Sequence, residues 1–417
     1  MMKNYLLVLL LLLSSNCFAQ DSLRAVFFGN SYTFFNDLPN MVKNMAASTG
    51  NFLEVASNTP GGYTLQQHTT NTTTLDLIMQ GNWDFVVLQE QSQRPSFPIS
   101  QVEQEVFPYA EQLSNLVDEY NDCGETCFYM TWGRENGDAG NCAGWPPVCT
   151  YEGMDSLLRL RYEMMAEMNE AIVSPVSVVW RYLRENHPEI DLYTNDGSHP
   201  SETGTFAAAC AFYTVFFRQN PEQPSILTNI DPTTMGIIQT AAKNLVFDNL
   251  EQWNVGAYDP ISGFEFDELY QETVNFTNTS TFANNYLWDF GDGTTSTEIN
   301  PQHTYAANGD YTVTLQANYC DKMSTFTSNI TIDAYPSINN KIIDNNALQL
   351  IKQGNVINIS LENCANCTYT IYDVKGVVAQ SAYLTNQSIN IDSLKAGFYL
   401  VSVSQKGQLM GSATFIK

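Results

Sequence analysis

The stretch Leu23-Arg-Ala-Val-Phe-Phe-Gly-Asn-Ser-Tyr-Thr33 places a serine directly after an apolar run that reads as a buried β-strand. Ser31 is therefore the candidate nucleophile, and a nucleophilic serine needs a base. Only four histidines occur in the chain, and His199 stands in Asp196-Gly-Ser-His-Pro200, just ahead of an apolar helical stretch. A tight turn with Asp at its first position and His at its fourth brings the carboxylate to the imidazole Nδ1, fixing the tautomer and leaving Nε2 free as a general base. Ser31, Asp196 and His199 are the expected catalytic residues. His187, before Pro188, reads as a helix terminator, and His68 has no aspartate near it in sequence.

Working outward, Asp84-Phe-Val-Val-Leu88 and Cys127-Phe-Tyr-Met-Thr-Trp132 read as further strands, while residues 155 to 172, 176 to 186 and 201 to 218 carry helical spacing. Asp37 and Pro39 suit a helix start, and Pro175 opens a new helix. This alternation predicts an α/β fold over residues 20–255, a three-layer parallel sheet with helices on both faces. After Asp259-Pro260 the composition turns to Thr, Asn, Tyr and Val with recurring turn signals, which predicts all-β structure to the end of the chain.

Three resemblances sharpen this reading. Trp288-Asp-Phe-Gly-Asp-Gly-Thr294, Asn300-Pro-Gln-His-Thr-Tyr305 and Gly309-Asp-Tyr-Thr-Val-Thr-Leu315 resemble the PKD family of immunoglobulin-like sandwiches, over about 262–333. The resemblance makes His303 part of the sandwich signature. Tyr369-Thr-Ile-Tyr-Asp-Val-Lys-Gly-Val377, Leu394-Lys-Ala-Gly-Phe-Tyr-Leu-Val-Ser402 and the terminal Lys417 resemble the C-terminal sorting domain of the type IX secretion system, over about 345–417. That implies export through the periplasm to the cell surface or beyond, with the secretion machinery as partner.

The third resemblance is to the SGNH (GDSL-like) hydrolases, over about 23–250. They carry serine after the first strand and an Asp-x-x-His pair in the last block, as Ser31, Asp196 and His199 stand here. Asn30 occupies a place where many members have aspartate, as in a bacterial subgroup that opens with GNSYT. The resemblance implies an oxyanion hole made by the Ser31 N–H, the Gly62 N–H and a side-chain amide. Many members take that amide from a GxND block; here the strand ends in Gln89-Glu-Gln-Ser-Gln93, and related carbohydrate esterases with a QGES-like run favour Gln89, with Gln91 as the alternative. Such a mechanism needs no metal and no organic cofactor.

Composition bounds the rest. The 417 residues carry 18 Lys and Arg against 44 Asp and Glu, a formal charge of −26. That surface repels phosphate backbones and excludes nucleic acid as a partner. Residues 1–19 read as a cleavable signal, with a lysine, an apolar run too short to span a bilayer and Ala19 at the cleavage site; lipid attachment at Cys17 is the alternative. No later segment is apolar enough to span a membrane.

Export favours disulfides. Cys142 with Cys149 and Cys364 with Cys367 are the most local pairs, and Cys123 and Cys127 pair with each other or across to the first group. A four-thiolate zinc site from Cys123, Cys127, Cys142 and Cys149 is the alternative. Cys210 reads as a buried helix residue. The loop from Trp132 to Tyr151 is glycine-rich and aromatic, and Trp132 or Trp145 could stack on a sugar ring. The function expected is a secreted serine esterase that deacylates, and more narrowly deacetylates, a carbohydrate. The competing readings are a lipase or arylesterase, and an inactive adhesin that binds glycan or protein.

Overall fold

The structure is a computed structural model that describes residues 22–267, 272–332, 348–361, 364 and 366–417; the expected signal, residues 1–19, lies outside the described residues. Five strands form one parallel sheet: β1 (Ser22–Phe28), β2 (Phe52–Asn58), β3 (Phe85–Leu88), β4 (Glu125–Tyr129) and β5 (Ile172–Ser174), in the order β2-β1-β3-β4-β5. Strands covered on both faces read as continuous apolar runs, and Ala25 to Phe28 and all of β3 are buried. Helices Leu38–Ser48, Val176–Asn186, Glu202–Phe217 and Pro232–Leu245 pack with one another in one layer, and Thr72–Met79, Phe107–Tyr120 and Tyr151–Met168 form the other. Glu202–Phe217 is apolar on every side, and all of its residues from Gly204 onward are buried. The fold is the α/β class expected.

In this strand order the winding reverses between β1 and β3, and the crevice outside their carboxyl ends is where such sheets gather ligands. Phe28 and Leu88 are register partners there, and the Gln89 N–H donates to the Phe28 carbonyl at 2.9 Å. The segments that follow, one with Ser31 and one with Gln89 to Gln93, therefore leave the sheet side by side.

The chain divides into two compact units after Ile332. The first includes a β-sandwich of two antiparallel sheets, one of Phe264–Asp267, Thr273–Asn278 and Gln302–Thr304, the other of Asn285–Asp289, Thr295–Ser296, Gly309–Tyr319 and Lys322–Ile332. Trp288, Phe276, Phe290, Tyr305 and Leu315 fill it. His303 lies flat on Phe290 at 4.1 Å and bonds Asp292 at 2.8 Å, a place within the sandwich. The second unit is also two antiparallel sheets, closed around Ile357, Ile371, Val401 and Val403.

The cysteines correct the sequence reading. Cys142–Cys149 and Cys364–Cys367 are bonded as expected, but Cys123 pairs with Cys320, 197 residues away, and Cys127 is a free thiol buried in β4. These pairings leave no four-thiolate site. The reason is topological: the turn between strands Gly309–Tyr319 and Lys322–Ile332 packs against the amino end of β4, a contact that local spacing does not encode. Lys322 reinforces it, bonding Glu125 and Asp259, and Arg218 bonds Asp259 at 2.5 Å.

Replacing Cys320 by Ser should therefore lower the stability of the first unit by about 2–4 kcal/mol, the usual worth of a disulfide that closes a long loop. Denaturant unfolding under non-reducing conditions, beside the unaltered chain, measures it.

Candidate active site

Ser31 opens the short helix Ser31–Phe34, whose N-cap is Asn30; the Asn30 Oδ1 accepts the Tyr32 N–H, and its Nδ2 donates to the Tyr63 carbonyl at 2.8 Å. One side chain thus ties the nucleophile turn to the loop after β2. The candidate base, His199, comes from the turn Asp196 to His199, where Gly197 takes φ +66°, a conformation that glycine adopts without strain. Asp196 Oδ1 accepts the backbone N–H of Ser198 at 2.8 Å and of His199 at 2.9 Å, and the Thr194 hydroxyl at 2.9 Å. Its Oδ2 accepts the His199 Nδ1–H at 2.5 Å, and His199 Nε2 accepts the Ser31 hydroxyl at 2.8 Å. Burial pushes the Asp196 carboxyl up, but the His199 side chain and these backbone donors outweigh it and hold it well below the usual carboxylate range.

Aromatic rings fix the imidazole. Phe35 stacks on His199 at 4.3 Å and Tyr32 meets its edge at 5.6 Å. Tyr32 in turn stacks on Trp132 at 4.8 Å, with its hydroxyl 2.7 Å from the Ser198 hydroxyl. Trp132 lies against Trp180 at 3.7 Å and donates its indole N–H to the Ser198 carbonyl. Here the sequence reading needs correction. With Tyr32 on one face, Trp180 on the other and 0 % of its surface exposed, Trp132 has no face for a sugar and instead supports the Asp196–His199 turn. Trp145 is half-buried and donates to the Ser96 carbonyl.

Comparison with known proteins identifies two of the domains. Residues 266–334 match the PKD domain model, and residues 353–417 match the secretion system C-terminal sorting domain. The chain carries a PKD domain and a sorting domain. The sorting domain marks it for type IX secretion to the cell surface or extracellular space. Among the described residues no helix is long and apolar enough to cross a membrane. Collagenase ColA of Bacillus cereus is 46% identical over 55 residues, 12% of this chain and 6% of its own length. Collagenase ColQ1 of the same species is 67% identical over 30 residues, 7% of this chain and 3% of its own. The chain thus spans a small fraction of these relatives.

Among solved structures, a DUF4886 family protein from Bacteroides uniformis is 16% identical, covering 54% of this chain and 95% of its own, with a TM-score of 0.48. The esterase EstA from a Pseudoalteromonas species is 11% identical over 46% of this chain and 94% of its own, at 0.32. The PKD1 domain of the Vibrio cholerae metalloprotease PrtV is 36% identical over 18% of this chain and 98% of its own, at 0.17.

The oxyanion donors expected ahead of the PKD domain divide. Gly62 lies exposed at φ +71° in the turn from Pro60 to Tyr63, on the loop that Asn30 holds. Gln89 is engaged elsewhere: fully buried, it accepts the Asn30 N–H at 2.9 Å and the Thr33 hydroxyl at 3.0 Å through Oε1, and its amide donates to the Glu90 carbonyl. It ties together the turn that carries Ser31. It packs so closely on Gly29 that a Cβ there would come within 2.5 Å of Oε1. Gln91, half-buried, bonds the Gln93 backbone and side chain, and Gln93 reaches the buried Asp138 at 2.6 Å.

Two supporting residues had little or no sequence signal. His68 is buried; its Nε2 donates to the Gly29 carbonyl at 2.9 Å, since a carbonyl only accepts, and its Nδ1 accepts the Thr74 hydroxyl. Burial lowers its pKa. Glu90 is fully buried and its two oxygens accept the N–H groups of Leu65 and Gln91, joining the Gly62 loop to the Gln91 loop. Burial pushes it up from 4.5 to about 8.

A carboxyl whose pKa rises on folding favours the native state most when protonated, so Glu90 should cost stability progressively as pH climbs from 4.5 to about 8. Thermal unfolding of Glu90→Gln across that range should show a flatter pH dependence than the unaltered chain. Gln89→Ala should reduce turnover and lower the unfolding midpoint together, because it frees the Asn30 N–H and leaves a buried donor unpaired. Paired kinetics and melting curves check it; lost turnover at unchanged stability would return Gln89 to the oxyanion hole.

Proposed function

We propose that the α/β domain is a serine esterase that removes acyl groups, acetyl in particular, from a carbohydrate outside the cell. The observation that carries this reading is the unbroken relay Asp196–His199–Ser31, with contacts of 2.5 and 2.8 Å at the carboxyl ends of the sheet.

In the proposed mechanism His199 Nε2 takes the Ser31 proton as Oγ attacks the ester carbonyl. Asp196 stabilises the imidazolium and does not itself take the proton. The backbone N–H groups of Ser31 and Gly62 hold the oxyanion, and Gln91 is the side-chain donor we assign in place of Gln89. The imidazolium returns its proton to the departing alcohol, leaving Ser31 acylated. Water, deprotonated by the same imidazole, then releases the acid and restores the serine. The sorting domain and the PKD domain support an extracellular polymer as the source of substrate.

Acetate release from acetylated xylan should exceed fatty-acid release from a long-chain emulsion, and Ser31→Ala should lower both by roughly 10⁴-fold or more while leaving the melting curve unchanged. A preference for the emulsion would transfer the assignment to a lipase, and full activity in Ser31→Ala would move the nucleophile elsewhere.

A further inference from the structure

Trp132 and Trp145 were the aromatic candidates for a sugar platform, and the structure removes the first to the interior. A different ring stands at the nucleophile. Phe34 belongs to the same helical turn as Ser31, three residues on, and residues so spaced lie on one face with Cβ atoms about 5–6 Å apart. It is 46% exposed, although it neighbours Phe35, which lies on His199, with the two phenyl rings 5.4 Å apart.

The backbone that presents this ring is costly. Asn36 and Asp37, directly after Phe35, take φ +50° and +54°, two successive left-handed residues without a glycine. The Asn36 amide holds that bend in place by donating to the Pro200 carbonyl at 3.0 Å and the Thr205 hydroxyl at 2.9 Å. The bend thus anchors the Phe34-Phe35 pair to the segment directly after His199. Strain of this kind persists where the surroundings over-determine it.

We propose that Phe34 is the platform on which a pyranose ring of the substrate lies while its ester meets Ser31. The inference rests on the carbohydrate-ester reading above. The ligand class follows from that reading and from the turn that carries His199, where the side chain of Asp196 is half exposed and its Oδ1 accepts the Ser198 N–H. An exposed phenyl face, one ring removed from this polar turn, suits a sugar ring that is apolar on its faces and hydroxylated at its rim.

The test compares the full chain with Phe34→Ala and Phe34→Tyr on three esters: acetylated methyl xylopyranoside, ethyl acetate, which has no ring, and ethyl octanoate. In Phe34→Ala the KM for the sugar acetate should rise roughly tenfold, the worth of about two buried CH₂ groups. Its kcat/KM on ethyl acetate should stay unchanged, and Phe34→Tyr should restore the sugar KM. Equal losses on sugar acetate and ethyl acetate would make Phe34 part of the scaffold and overturn the proposal, as would no loss on either. A loss greatest on ethyl octanoate would assign the ring to the acyl chain and overturn it likewise. If the unaltered chain cleaves ethyl acetate but not the sugar acetate, the carbohydrate reading itself fails, a result distinct from failure of the platform alone.

Discussion

The hydrogen bond from His199 to the Asp196 carboxylate is made within a single turn, but it has chemical meaning only because the sheet brings that turn to Ser31, 168 residues earlier. Everything around the site serves this one approach. Gln89 and His68 hold the backbone just before the serine, through the Asn30 N–H and the Gly29 carbonyl. Trp132 and Tyr32 hold the Ser198 backbone and hydroxyl, and Phe35 lies flat on the imidazole. Ser31 and His199, the proposed nucleophile and base, are thus each fixed by groups to which no chemical step is assigned, which is how a scaffold holds a pair of side chains in register.

What the sequence could reveal followed the range of the interaction. Ser31 after an apolar strand and Asp196 three residues before His199 are local patterns, and the fold brings the three side chains into contact. The PKD and sorting signatures are likewise local runs. The alternation of strands and helices foretold the parallel sheet, though the partly exposed edge strand β2 carried no clear pattern. Contacts across the fold were not legible. Cys320 as the partner of Cys123, the inward turn of the Gln89 amide and the burial of Trp132 between two rings all depend on which segments become neighbours. An aromatic residue in a glycine-rich loop reads the same whether it faces solvent or supports a catalytic turn. Phe34 illustrates the converse, since in sequence it is one of two adjacent phenylalanines and only the backbone bend tells them apart.

Glu90 shows a cost that the site carries. A carboxyl with no exposed surface is disfavoured as an anion, and this one has two backbone N–H donors to hold it. Its place between the Gly62 and Gln91 loops explains why a polar group is there at all: both loops carry proposed oxyanion donors, and one buried acceptor sets their separation. Stability given up for fixed geometry is the common exchange at catalytic sites. At the other end of the sheet, the Cys123–Cys320 bond and the Lys322 ion pairs join the α/β fold to the PKD domain, a cross-link suited to a chain that works outside the cell, where thiols oxidise.

In the proposed mechanism Ser31 is the nucleophile that carries the acyl group. Treating the full chain with a fluorophosphonate and locating the adduct by peptide mass spectrometry tests this directly, because such reagents label a serine only when a neighbouring base activates it. One adduct is expected, on Ser31, formed in step with loss of esterase activity. An adduct on another residue, or an enzyme that hydrolyses esters yet takes up no label, would contradict it.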